Sequence, residues 1–177
     1  MSRKILMVIA PDQFRDEELF EPRAAFEEEG WAVDTVSTRT GDIAGMLGAT
    51  ETVSKTLSEV SYLDYDAAVV VGGMGSIEFL WNNQELHHIL KSVDQNQKVI
   101  AAICLSGAVL AKADLAKGKK MTVWPDDTAI QVLKDAGANY TGEPCTIDGN
   151  MVTANGPEAV KAFAEGVIER VNALVTA

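Results

Sequence analysis

Val99-Ile-Ala-Ala-Ile-Cys-Leu-Ser-Gly-Ala-Val-Leu-Ala111 is the stretch that decides the fold. Its first five residues are an unbroken apolar run, the pattern of a strand buried on both faces of a parallel sheet. Beyond it the spacing predicts a helix from Leu105 to Lys112. Cys104 stands at the break, flanked by Ala102, Ser106 and Gly107. Small residues there let a strand turn sharply into a helix without burying the side chain at the corner, which is the pattern of a nucleophile elbow. A thiol so placed lies near the first amides of a helix, which are expected to lower its pKa and favour the thiolate. The residues alone leave open a second reading, a buried and inert cysteine.

Outward from the elbow, three more apolar runs rich in β-branched residues recur, Ile5 to Ile9, Ala32 to Ser37 and Ala67 to Val71. Amphipathic stretches separate them. The helices predicted are Glu17 to Glu29, Gln84 to Gln95, Leu105 to Lys112, Thr128 to Ala136 and Glu158 to Val175, with Gly30 and Gly137 as stop signals. This alternation predicts a single α/β domain over residues 1–177, a three-layer sandwich of mostly parallel sheet with helices on both faces. Thr40 to Thr56, with glycines at 41, 45 and 48, reads as a strand with turns beside the main sheet. Cys145 to Thr153 reads as a hairpin turning at Asp148, Gly149 and Asn150.

The chain has 177 residues, 47% hydrophobic and 23% charged, with a formal net charge of -11. That charge, without a Lys/Arg cluster, argues against a nucleic-acid or anionic-membrane surface. Small molecules or proteins are the expected partners. Two cysteines, Cys104 and Cys145, suggest neither a disulfide framework nor a zinc site, so a reducing compartment and no metal are expected. The apolar stretch from Ile5 to Ala10 is too brief for a signal or membrane segment and reads as the first strand of a cytoplasmic protein.

In a parallel sheet the loops after successive strands gather at one edge, so the segments following Ile9, Val71 and Ile103 are expected to face one another. They carry, respectively, Asp12, Asp16, Glu17 and Glu18; Gly72 to Ser76; and Cys104. Glu18 is singled out because Pro22, four residues on, cannot donate to its carbonyl, so the helix should distort where this side chain emerges. The alternative is that all three acids complement the helix N-terminus. Gly72 to Ser76 fails the dinucleotide and Walker fingerprints. It could instead offer the Gly73 N–H, with that of Leu105, to a developing oxyanion, or be a tight turn only. His87 and His88 lack metal-ligand spacing and read as ordinary helix residues, and Cys145 as structural.

Five segments, DQFRDEELFEP, VVVGGMGS, AAICLSGAVLA, VWPDD and IDGNMVTANGP, together resemble the PfpI-like intracellular proteases and Parkinson-disease-associated protein deglycases. That resemblance covers nearly the whole chain and implies a flavodoxin-like, glutamine amidotransferase-like fold. It implies that Cys104 matches the nucleophile, Glu18 the carboxyl that contacts it, and Gly73 and Leu105 the oxyanion amides, with Gly72 and Trp124 at the pocket. No cofactor and a homodimer are implied as well. A carboxyl beside a thiolate must be largely protonated, because two adjacent anions raise one pKa strongly. The chain departs from the family at two places: Leu105 stands where the proteases have a histidine after the cysteine, and Trp124 where several deglycases have one. Peptide hydrolysis by the usual dyad then lacks its base. The expected activity is glyoxalase- or deglycase-like addition of Cys104 to small reactive carbonyls in stress protection. The alternative is a redox sensor or stress-response interaction protein acting through oxidation of Cys104.

Overall fold

The computed structural model describes residues 2–174. Ten strands and six α-helices follow in order: β1 (Lys4–Val8), α1 (Asp16–Glu28), β2 (Ala32–Val36), β3 (Gly41–Ala44), β4 (Thr50–Val53), β5 (Ala67–Val70), α2 (Gly75–Phe79), α3 (Gln84–Gln95), β6 (Val99–Ile103), α4 (Gly107–Lys112), β7 (Lys120–Met121), α5 (Asp127–Asp135), β8 (Asn139–Tyr140), β9 (Cys145–Asp148), β10 (Met151–Ala154) and α6 (Val160–Asn172).

Six strands form the main sheet in the order β2-β1-β5-β6-β10-β9, parallel throughout except for β9, which pairs antiparallel with β10. β5 and β6 are buried along their whole length, as apolar runs covered on both faces must be. Alanines at 67, 68, 101 and 102 keep the sheet surface low, which lets the covering helices approach closely. α6 packs on β6 and β10 and against α1, while α3 and α4 also pack on β6, so this strand is covered from two sides. The layered α/β expectation therefore holds.

The chain leaves β1 toward β2 and later returns to β1's other side as β5. The connections part company there, and a crevice opens at the carboxyl ends of β1 and β5, the usual ligand position in such sheets. β6 lies directly beside β5.

Several expectations need adjustment. α1 runs unbroken through the buried Pro22, so the distortion predicted at Glu18 does not interrupt the helix. The segment Leu105 to Lys112 does not begin as an α-helix: Cys104–Ser106 form a tighter 3₁₀ turn that continues into α4. Thr40 to Thr56 holds two strands, β3 and β4, paired antiparallel as a separate sheet. The hairpin around Gly149 is present, but its strand β10 is also a central member of the main sheet. α6 ends at Asn172, and Val175 lies outside the described residues.

Candidate active site

Cys104 follows the last residue of β6 with a positive φ of 60°, a conformation that costs a non-glycine residue about 1–2 kcal/mol. What holds the strain is a set of buried bonds just behind the turn. Ser106 Oγ donates to the Val71 carbonyl at 2.6 Å, and Ser76 Oγ lies 2.7 Å from Ser106 Oγ, where it must donate because the Ser106 proton is already used. The strand-end loop of β5 is thereby fastened to the elbow of β6. Gly107 permits the next contact, since a Cβ there would come within 3.0 Å of the Thr122 carbonyl.

Glu18 arrives from the first turn of α1, fully buried. Neither carboxyl oxygen closes a well-aligned hydrogen bond, although the Cys104 thiol and the Gly72 backbone approach it. Burial pushes its pKa up to about 8, against the opposing pulls of Cys104, Arg15 and Gly72. At neutral pH Glu18 is therefore mostly a neutral acid with a proton to give. Gly72 makes the approach possible: a Cβ there would meet Glu18 Oε1, and would stand 2.6 Å from Cys104 Cβ and 2.7 Å from the Ile103 carbonyl. Gly72 thus lies between the acid and the thiol, not on the pocket wall as expected.

Burial and the Glu18 charge push the Cys104 thiol up to about 12, while the amides of Leu105 and Gly73 act against them. This corrects the expectation of a depressed pKa. The expected amides do face the sulfur, but one 3₁₀ turn and two N–H groups do not outweigh removal from water and a carboxyl at close range. The pair takes its first negative charge at about pH 8 and a second only at strongly alkaline pH.

The thiol opens into a cavity of about 700 Å³ whose lining includes Arg15, Glu17, Met46, Gly73, Met74, Leu105, Trp124 and Gly156. Arg15 holds Glu17 through Nε and Nη2, both at 3.0 Å. That hydrogen bond raises the arginine's pKa and lowers the glutamate's. The rim is closed by a hairpin that sequence reasoning did not connect to the site: Asp16 accepts the amides of Leu47 and Ala49, each at 2.9 Å, and so presents Met46. On the opposite side Trp124 is 43% exposed, its ring over Gly156, where a Cβ would come within 2.7 Å of the indole.

Asp12 is exposed and does not line the cavity. His87 is buried and its Nε2 lies 2.8 Å from the Trp81 carbonyl, while His88 stands edge-on to Tyr62. Neither lines the cavity. Cys145 is half-buried on β9, its thiol raised by burial alone. Among the described residues no group of three or more His, Cys, Asp or Glu side chains is arranged to hold a metal, and no helix is long and apolar enough to cross a membrane.

Fold and elbow together define the class: a flavodoxin-like α/β protein whose strand-to-helix turn presents a thiol. The chain belongs to the DJ-1/PfpI family, whose model matches residues 3–170. It is 51% identical over 168 residues to an uncharacterized protein of Methanocaldococcus jannaschii, covering 95% of this chain and 82% of that one. It is 32% identical over 158 residues to a deglycase of Thermococcus kodakarensis, covering 89% and 93% of the two chains. Among solved structures, the ThiJ/PfpI domain protein of Brachyspira murdochii is similar with a TM-score of 0.93 and 33% identity over 98% of this chain and 99% of that one.

Proposed function

We propose that this protein is a cofactor-independent thiol enzyme of the glyoxalase and deglycase kind, acting on small reactive carbonyls. The observation that carries the reading is Glu18, a buried acid with a pKa near 8, approaching the strained Cys104 where the amides of Gly73 and Leu105 converge. A general acid–base is most effective when its pKa lies near the working pH. Ionised Glu18 takes the thiol proton as sulfur adds to an aldehyde such as methylglyoxal, and the two amides receive the oxyanion. Protonated Glu18 then returns that proton, giving the thiohemiacetal. The C–H proton of the former aldehyde carbon then moves to the neighbouring carbonyl carbon and the hydroxyl proton to that carbonyl's oxygen, which converts the thiohemiacetal to the lactoyl thioester. Water releases lactate and restores the thiol. No amine leaves in the addition step, so it tolerates Leu105 and Trp124 where relatives carry histidines. The name of the Thermococcus kodakarensis relative supports this chemistry.

The test is lactate formation from methylglyoxal. It should be lost in Cys104→Ala, and its kcat/KM should rise with pH as Glu18 ionises through about 8. Activity retained without Cys104, or a pH profile flat across that range, overturns the reading.

A second reading, a redox sensor, is favoured by the separation of the two free cysteines. Cys145 pairs with Ala154, which pairs with Ile103, so it lies two strands from the elbow strand, about 10 Å from Ile103. That spacing disfavours a disulfide and leaves oxidation of Cys104 to the sulfinate, which protonated Glu18 would hold by hydrogen bonding. Intact mass across a peroxide titration should show two added oxygens on the wild type and none on Cys104→Ser. Equal trapping in Glu18→Leu would exclude the retaining role of Glu18.

A further inference from the structure

Both peptide groups that flank Leu105 are pinned at their carbonyls. The Cys104 carbonyl accepts the backbone amide of Trp124 at 3.1 Å. The Leu105 carbonyl accepts the indole Nε1–H of Trp81 at 2.9 Å. Trp81 is fastened in turn by its own carbonyl, 2.8 Å from His87 Nε2. A carbonyl only accepts, so His87 carries a proton on Nε2. Trp81, His87 and Leu105 are all nearly or fully out of water, and neither Trp81 nor His87 lines the thiol cavity.

The geometry has a direct consequence at the sulfur. A trans peptide is planar, with its N–H and C=O opposed. Pinning the Cys104 carbonyl to Trp124 therefore directs the Leu105 N–H the other way, and that amide is one of the two that face Cys104. Pinning the Leu105 carbonyl to Trp81 fixes the next peptide plane, so the torsions on both sides of the Leu105 Cα are held. A donor held in place stabilises developing charge without reorganising at the moment of reaction, and a loosened one loses much of that effect.

We infer that Trp81 is a positioning residue for the chemistry of Cys104: its indole N–H, backed by His87, fixes the peptide plane that follows Leu105 and, with the Trp124 amide on the plane before it, holds the turn that presents the Leu105 N–H. The inference rests on the reading of Cys104 as the reacting thiol. Trp81 touches neither thiol nor substrate, and its effect passes through the Leu105 peptide.

The test compares Trp81→Phe with the wild type by iodoacetamide alkylation of Cys104, followed by peptide mapping from neutral to alkaline pH. Phenylalanine keeps an aromatic ring but has no donor for the Leu105 carbonyl. Alkylation at a fixed pH should fall roughly tenfold, with the profile displaced to higher pH, and lactate formation should lose kcat by a similar factor with KM little changed. His87→Leu, which frees the Trp81 carbonyl and leaves the indole in place, should shift the profile in the same direction by less. A Trp81→Phe protein with a lowered Tm and an alkylation profile superimposable on wild type would show a purely structural tryptophan and overturn the inference. If Trp81→Phe does not fold, His87→Leu decides, and an unmoved profile overturns it. Lactate formation retained in Cys104→Ala would instead bring down the reading of the thiol itself.

Discussion

Asp16 and Glu18 leave the same helical turn two residues apart, both are buried, and the protein uses them in opposite ways. Asp16 accepts one backbone amide on each oxygen, from Leu47 and Ala49, and so ties the β3–β4 turn to α1. Glu18 receives no such donor, and burial pushes its pKa up to about 8. Each carboxyl also depends on a glycine. A Cβ at Gly45 would stand 2.6 Å from Asp16 Cγ, and one at Gly72 would collide with Glu18. Burial by itself does not decide what a carboxyl does; the donors it meets decide. Two amides make Asp16 a fastener, and their absence leaves Glu18 an acid that keeps its proton to about pH 8.

The comparison breaks most easily on activity. Glu18→Gln removes the exchangeable proton and should lower kcat for lactate formation by about 10²–10⁴-fold, the usual worth of a positioned acid–base. Asp16→Asn should lose roughly tenfold or less, through looser placement of Met46. Comparable losses in steady-state assays of the two variants would mean that both carboxyls act by holding structure.

Stability should move the other way. Glu18 has a folded pKa of about 8 against an ordinary 4.5, so folding takes up a proton between those values and stability falls as pH rises through that window. Glutamine carries no such cost, and Glu18→Gln should gain roughly 3 kcal/mol at about pH 7. The gain should close as pH falls toward the unfolded value. Urea unfolding at mildly acidic and neutral pH measures it, and a pH-independent difference would deny the upward shift.

The smaller of the two stability effects is the cost of Asp16→Asn, about 2 kcal/mol. Asparagine keeps one acceptor but turns an NH₂ toward the second backbone amide, and urea unfolding reads the loss directly. A neutral result would mean that the Leu47 and Ala49 amides find other acceptors, and the contrast between the two carboxyls would narrow to burial.

What the sequence revealed of this arrangement was its local part. Val99–Ile103 and Gln84–Gln95 match their expected bounds because an apolar run and a helical period are written in consecutive residues. Cys104 was legible for the same reason, as a corner between small residues. The helix expected at Thr128 begins instead at Asp127, set by Asp126, whose side chain accepts the Ala129 amide. Partnerships across the chain were not legible. Nothing in Met151–Ala154 declares that it pairs with β6, yet that pairing brings Gly156 and Pro157 to the rim. Trp81 sits in an unremarkable stretch, and its bond to Leu105 spans 24 positions. The Cys104 pKa departs from the expected direction because helix amides can be read from a strand–helix junction, whereas the depth of burial and the nearness of Glu18 arise only when α1 docks. Glu18 is singled out by Pro22 and matched by the family resemblance, and neither reports its environment, since both read position alone.

The three tryptophans divide unevenly. Trp31 and Trp81 are 8% and 5% exposed, while Trp124 is 43% exposed and rests on Gly156 beside the thiol. The protein thus carries an optical probe at the mouth of its own pocket. Emission from Trp124 should lie to the red of the other two and be the first quenched by acrylamide. A molecule entering the cavity should shield it from the quencher and leave the buried pair unchanged, so occupancy can be followed by fluorescence before any product forms.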